Sequence, residues 1–127
     1  LLLAAGSDVN CEQLTQPESL TVRPGQPLTI LCQVSYSVSS YSTHLIRQPD
    51  GRGLEWIGGI HTGWKGLKGS LSSKFSLAVD GSSNTVTLQG QNMQPGDSAV
   101  YYCAREAIGV AYSDYWGKGT VVTVSDS

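Results

Sequence analysis

Charge is scarce in this chain of 127 residues: 14% are charged, 8 Lys or Arg stand against 10 Asp or Glu, and no run of like charge occurs. A formal net charge of −2 leaves no basic footprint for nucleic acid or an anionic membrane surface. No apolar stretch approaches the roughly 20 residues of a bilayer-spanning helix, and no 3.6-residue period persists long enough for a substantial helix. Histidine is limited to His44 and His61, both in expected loops, and cysteine to Cys11, Cys32 and Cys103. There is no Gly-x-Ser-x-Gly elbow, phosphate-binding loop, metal-ligand cluster or acidic dyad, so neither catalysis nor a metal or cofactor is expected. Asn84 and Asn92 lack a hydroxyl residue two positions on, which excludes them as glycosylation acceptors.

What is abundant is Gly, Ser, Thr and Val, a composition suited to β structure. From Gln13 onward short alternating runs are broken every 8 to 12 residues by turn formers, as in an antiparallel sandwich or barrel. Leu28, Ile30, Cys32 and Val34 share one strand face; Phe75, Leu77 and Val79 repeat the period, as do Val86 and Leu88. Ala99, Tyr101 and Cys103 lie opposite Val100, Tyr102 and Ala104, so this strand is apolar on both faces and needs cover on both. Arg23-Pro24-Gly25, Pro49-Asp50-Gly51, Asp80-Gly81 and Pro95-Gly96 read as turns. The length is that of one domain burying roughly two thirds of its unfolded surface.

At the amino terminus, apolar Leu1–Ala5 followed by small and polar residues reads as the tail of a secretory leader. Val9 and Cys11 suit cleavage after Cys11; Ala4 and Gly6 suit cleavage after Gly6, and a buried strand through Leu1–Leu3 is the alternative. Residues 1–11 are therefore assigned to a leader tail and 12–127 to the domain. Cys32 and Cys103, each on an inward strand face, are placed to pin two sheets together. A bridge closing so long a loop stabilises by about 4 kcal/mol in the chain-entropy view. Free buried thiols fit poorly with a leader, and zinc fits worse because no paired ligand spacing exists.

Several motifs in order carry a resemblance: Cys32, Arg47-Gln48-Pro49, Gly53-Leu54-Glu55-Trp56-Ile57-Gly58, Asp97 through Arg105 (Asp-Ser-Ala-Val-Tyr-Tyr-Cys-Ala-Arg) and Trp116-Gly117-Lys118-Gly119-Thr120. Together the residues from Glu12 to Ser125 resemble an immunoglobulin heavy-chain variable domain. Light chains and most T-cell receptor chains begin the last segment with Phe, and the style of Gln91-Asn92-Met93-Gln94 and Lys118 is similar to heavy chains of bony fish.

The resemblance implies an all-β, V-type Greek-key sandwich of two antiparallel sheets with an inter-sheet disulfide, Cys32 to Cys103. It implies a tyrosine corner at Tyr101, an ion pair between Lys74 and Asp97, a bulge at Gly117 and Gly119, and Arg105 facing Asp114 across the base of the third loop. One position departs from the pattern. Leu45 stands where the family usually has a Trp against the disulfide, which leaves a void and lowers stability by a few kcal/mol unless neighbours repack.

By the same resemblance, antigen is bound by three loops, 35–44, 59–68 and 106–115. The candidates there are Tyr36, Tyr41, His61, Trp64, Lys65, Glu106, Ile108, Val110, Tyr112 and Tyr115, aromatic anchors among small adaptable residues. Trp64 leads; its alternatives are folding back on the surface or filling the gap at Leu45. Ile46, Gln48, Leu54, Trp56, Tyr102 and Trp116, together with Val100, map onto the surface that meets a light-chain variable domain, with Gln48 in a reciprocal amide bond. An isolated domain is expected to self-associate there. The implied setting is extracellular, secreted or on the B-cell surface. A V-set adhesion or innate receptor domain is the competing reading, one that would not normally carry the joining-like segment from Trp116.

Overall fold

The computed structural model describes residues 14–107 and 115–126. Within them lie β1 (Leu14–Thr15), β2 (Ser19–Val22), β3 (Leu28–Val34), β4 (Tyr41–Gln48), β5 (Glu55–His61), β6 (Trp64–Leu67), β7 (Phe75–Asp80), β8 (Thr85–Gly90), β9 (Ala99–Ala107), β10 (Tyr115–Trp116) and β11 (Thr120–Val124). Single 3₁₀ turns occupy Gly69–Leu71 and Pro95–Asp97. The smaller sheet has the order β1-β3-β8-β7 and the larger β2-β11-β9-β4-β5-β6, with β10 also on β9. The pairs are antiparallel except β2 and β11, where Ser19–Val22 runs parallel to Val121–Val124. This exception to the expected antiparallel sheets arises because the first strand is split: β1 serves one sheet and β2 the other. The break falls at Pro17, which has no N–H to give a ladder and whose carbonyl accepts from the Thr120 hydroxyl at 2.6 Å.

The alternation in β3 is realised residue by residue, with Leu28, Ile30, Cys32 and Val34 buried and Thr29, Leu31 and Gln33 exposed. Leu77, Val86 and Leu88 join them from the same sheet, and Leu45, Ile57, Tyr101, Val122 and Val124 face them from the larger one. Cys32 and Cys103 are bridged, their Cα atoms 6.6 Å apart. Cys11 lies outside the described residues. Leu45, opposite Cys103 and Gly58, is fully buried beside that bridge.

An extra residue in β5 decides which side chains face outward. Leu45 pairs with Gly58 but Ile46 pairs with Trp56, so Ile57 is passed over. The bulge sends Ile57 into the core, fully buried, and leaves Trp56 on the outer face. A second irregularity lies at the end of the chain. Trp116 pairs with Ala104 and Thr120 with Tyr101, so four steps on one strand match three on the other. The Gln16 side chain fills this bulge: its amide nitrogen donates to the Tyr101 carbonyl at 2.8 Å and its oxygen accepts from the Cys103 N–H at 3.1 Å.

Below the core, charges are brought together rather than scattered. Lys74 Nζ lies 3.0 Å from Asp97 Oδ2, but Arg47 also reaches Asp97 Oδ1 at 3.1 Å and Glu55 Oε1 at 2.7 Å. The Tyr101 hydroxyl donates to the Asp97 carbonyl at 2.7 Å and accepts from Arg47 Nη1 at 3.1 Å. The turns at Arg23 and Pro49 close as expected, through Gln26 N–H to Arg23 O and Arg52 N–H to Pro49 O, both 3.0 Å. Pro95-Gly96 instead opens a 3₁₀ turn capped by Asp97 Oδ2 on the Gln94 N–H at 2.9 Å.

Candidate functional site

Two surfaces meet at one end of the larger sheet, and both are narrower in irregular structure than the sequence suggests. The expected second loop, 59–68, is mostly strand: β5 and β6 form a hairpin in which His61 pairs with Trp64 and only Thr62 and Gly63 turn. The first loop gives way to β4 at Tyr41; in the third, β9 continues to Ala107 and β10 opens at Tyr115, with 108–114 outside the described residues. Backbone pairing therefore holds most of these side chains in place.

The candidates separate accordingly. Trp64 and Tyr115 are exposed, at 45% and 48%. Lys65 is also exposed, His61 is half-buried with Nδ1 accepting from the Gly63 N–H at 3.0 Å, and Tyr41 and Glu106 are partly buried. Trp64 does not fill the core at Leu45; it lies on the outer face near the ring of His44, at 6.4 Å. Tyr36 departs from expectation. It is 6% exposed, its hydroxyl 2.6 Å from the Thr43 hydroxyl, because the connection from β3 turns inward and puts Tyr36 and Val38 into the core. Tyr36 is a floor under the loops rather than a contact surface. Ile108, Val110, Tyr112 and Asp114 lie outside the described residues, and with them the Arg105 to Asp114 pair. What is visible of Arg105 is a stack: its guanidinium sits 4.1 Å from the Tyr41 ring centroid and 4.2 Å from that of Tyr115.

The outer face of the larger sheet carries the remaining expected residues. Leu54, Trp56 and Trp116 are 57%, 39% and 44% exposed. Tyr102 packs edge-on against Trp116 at 5.8 Å. Its ring also overlies Gly119, whose φ of +95° no side chain would favour. Ile46 departs from expectation: it lies on this face, yet its place between the cross-strand neighbours Trp56 and Tyr102 leaves it 7% exposed. Gln48 is exposed, and its amide nitrogen donates to the Arg52 carbonyl of its own chain at 3.0 Å. Any bond to a partner has to replace that one.

The profile of the immunoglobulin V-set domain matches residues 15–125. The chain belongs to the immunoglobulin V-set family. Within it the relatives are antibody heavy-chain V regions. An "Ig heavy chain V region XIG14" of Xenopus laevis is 46% identical over 107 residues, covering 83% of this chain and 79% of its own. A rabbit "Ig heavy chain V-A2 region P-MU-3" is 38% identical across 98% of this chain and 93% of its own. A mouse "Ig heavy chain V region MOPC 141" is 38% identical across 89% and 85%. This is a family of recognition domains, not of enzymes, and the bridged Cys32–Cys103 two-sheet sandwich is the V-set architecture.

Three parts of this V-set domain escape a sequence reading. The Arg47–Glu55 contact joins β4 to β5 across the bulge, which no motif marks. Burial alone would raise the Asp97 carboxyl, but the Gln94 amide, Lys74 and Arg47 outweigh it and hold it below its usual value. Arg47 likewise holds Glu55 low. His44, expected in a loop, is a strand residue whose side chain is 13% exposed. Gln16 has no sequence signal beyond its place before Pro17.

Proposed function

We propose that this V-set domain recognises antigen as the variable part of an antibody heavy chain and pairs with a light-chain variable domain through the outer face of its larger sheet. The observation that carries the reading is the exposed apolar patch of Leu54, Trp56 and Trp116, with Tyr102 packed behind it. Single exposed apolar residues are ordinary, but a contiguous patch of this kind on a folded domain marks a partner surface. Antigen contacts come from Tyr41, His61, Trp64, Lys65, Glu106 and Tyr115 on β4, β5, β6, β9 and β10. In this reading the domain spans 12–127 behind a leader tail, and it works outside the cell, secreted or displayed on a B cell.

Sedimentation of the purified domain, alone and mixed with κ- and λ-type light-chain variable domains, tests the pairing. The expected result is a one-to-one heterodimer, with self-association of the domain alone at high concentration. A clean monomer that ignores both light-chain types refutes it. Transcripts from different cells test the antibody role: variation concentrated in 106–114 supports it, and an invariant loop favours a fixed adhesion or innate receptor.

A further inference from the structure

We propose that His44 is a positioning residue that ties the stem of the third loop to the pairing face, holding Trp56 in place only while its imidazole is neutral. The inference rests on the pairing reading above for its consequence, but not for its geometry. The His44 ring lies between two partners of opposite demand. The Trp56 indole Nε1–H points at Nδ1 from 3.0 Å, and Glu106 Oε1 lies 2.7 Å from Nε2. An indole nitrogen donates and never accepts. Nδ1 must therefore be the bare nitrogen and Nε2 the one bearing the proton, which it donates to the Glu106 carboxylate.

The ring has little freedom to choose otherwise. It lies directly over Gly59, where a Cβ would come within 2.5 Å of Nδ1. From β5 it meets Trp56 and Gly59, from β6 the Trp64 ring, and from β9 Ala104 and Glu106. Among the described residues Glu106 is the charged group in contact with it. Lys65 and Arg105 alternate onto the opposite faces of their strands, and His61 lies beyond Trp64.

A solvent proton that adds to Nδ1 turns this acceptor into a donor. Two N–H groups then face each other, the indole bond is lost, and the Trp56 ring is freed from the orientation it presents to a partner. The Glu106 contact survives the same event and strengthens, since the imidazolium still donates from Nε2. Protonation thus acts on one side only: the third-loop stem stays anchored and the pairing face loosens.

The test begins with the isolated ¹⁵N-labelled domain between pH 8 and pH 5. The Trp56 indole cross-peak, identified by its loss in Trp56→Phe, is expected to titrate with the same midpoint as the His44 ring signals and to become flat in His44→Gln. An indole peak that stays put while His44 titrates, or that still titrates in His44→Gln, overturns the proposal. Pairing with a purified κ-type light-chain variable domain supplies the second measurement and does not depend on His44→Gln folding. Kd at pH 5.5 is expected to be about fivefold weaker than at pH 7.5, the factor one ordinary hydrogen bond supplies, and Trp56→Phe removes the difference. An equal pH dependence in Trp56→Phe overturns the link to pairing. Absence of binding to κ- and λ-type domains alike at both pH values refutes the pairing reading, and the indole titration still decides the role of His44.

Discussion

Replacing Asp97 by alanine strips the base of the sandwich of the group on which three donors converge. Its carboxylate accepts from Arg47 Nη1 at 3.1 Å, Lys74 Nζ at 3.0 Å and the Gln94 N–H at 2.9 Å. The Asp97 and Arg47 side chains are 10% and 9% exposed, so little water is available to replace the lost contacts. Removing one member of a buried pair costs about 3–5 kcal/mol, mainly because the other charge stays behind. Here Arg47 keeps Glu55 at 2.7 Å and the Tyr101 hydroxyl at 3.1 Å, and Lys74 keeps the Asn92 carbonyl at 2.7 Å. The lower end of the range, about 3 kcal/mol, is therefore expected, which at this domain size lowers Tm by about 12 °C. Asp97→Asn keeps one acceptor oxygen for the Gln94 amide but gives up the charge and turns its NH2 toward Arg47 Nη1, which bonded the other carboxylate oxygen, so it is expected to cost about 2 kcal/mol. Denaturant midpoints followed by tryptophan fluorescence at pH 7 measure both, provided the m-values agree. A double-mutant cycle with Arg47→Met isolates the pair itself. An Asp97→Ala domain within about 0.5 kcal/mol of the parent, the range of ordinary surface substitutions, refutes the reasoning.

The same carboxylates set an acid limit. Asp97 and Glu55 are both held below their usual values, so the unfolded chain takes up protons first. Their contribution is complete only above the unfolded-state values, from about pH 5 upward, and drains away as pH falls through the depressed folded-state values. Urea midpoints from pH 6 down to pH 2 are expected to fall in the parent and to flatten below pH 4 in Asp97→Asn combined with Glu55→Gln. Leu45→Trp, which restores bulk beside the Cys32–Cys103 bridge, is expected to stabilise by about 1 kcal/mol as a cavity-filling change. A lower melting temperature instead shows that neighbours have already closed the space. Gly119→Ala is expected to destabilise by at least about 2 kcal/mol: its φ of +95° strains any side-chain-bearing residue, and the new Cβ would in addition meet Val100 at 2.7 Å and the Tyr102 ring at 2.8 Å. Thermal melts check both.

Legibility in the sequence follows the range of the interaction concerned. The buried face of β3 could be read because a strand carries its own period, and four apolar residues at alternate positions admit one orientation. The Cys32–Cys103 bridge was accessible because both partners lie on such faces. The bulge in β5 was not, since nothing in Glu55-Trp56-Ile57-Gly58-Gly59 marks which residue the neighbouring strand passes over. Yet that one-residue slip decides that Ile57 is core and Trp56 is surface. Tyr36 escapes for a related reason: a tyrosine in a serine-rich connection reads as solvent-facing, and its burial depends on the path of the connection and on the Thr43 hydroxyl it meets.

The polar groups that matter most share this dependence on slipped register. Without the bulge Glu55 would no longer stand opposite Arg47, and the buried guanidinium would face Asp97 and Lys74 with one carboxylate between two cations. With it, Arg47 sits between Glu55 and Asp97, and the four charges Lys74, Asp97, Arg47 and Glu55 alternate in sign. The slip that places Trp56 on the outer face also brings its indole within reach of His44. One inserted residue therefore serves the stability of the base and the geometry of the pairing face together. For that reason Ile57 is a poor site for deletion, even though a hydrophobic residue there looks interchangeable with its neighbours.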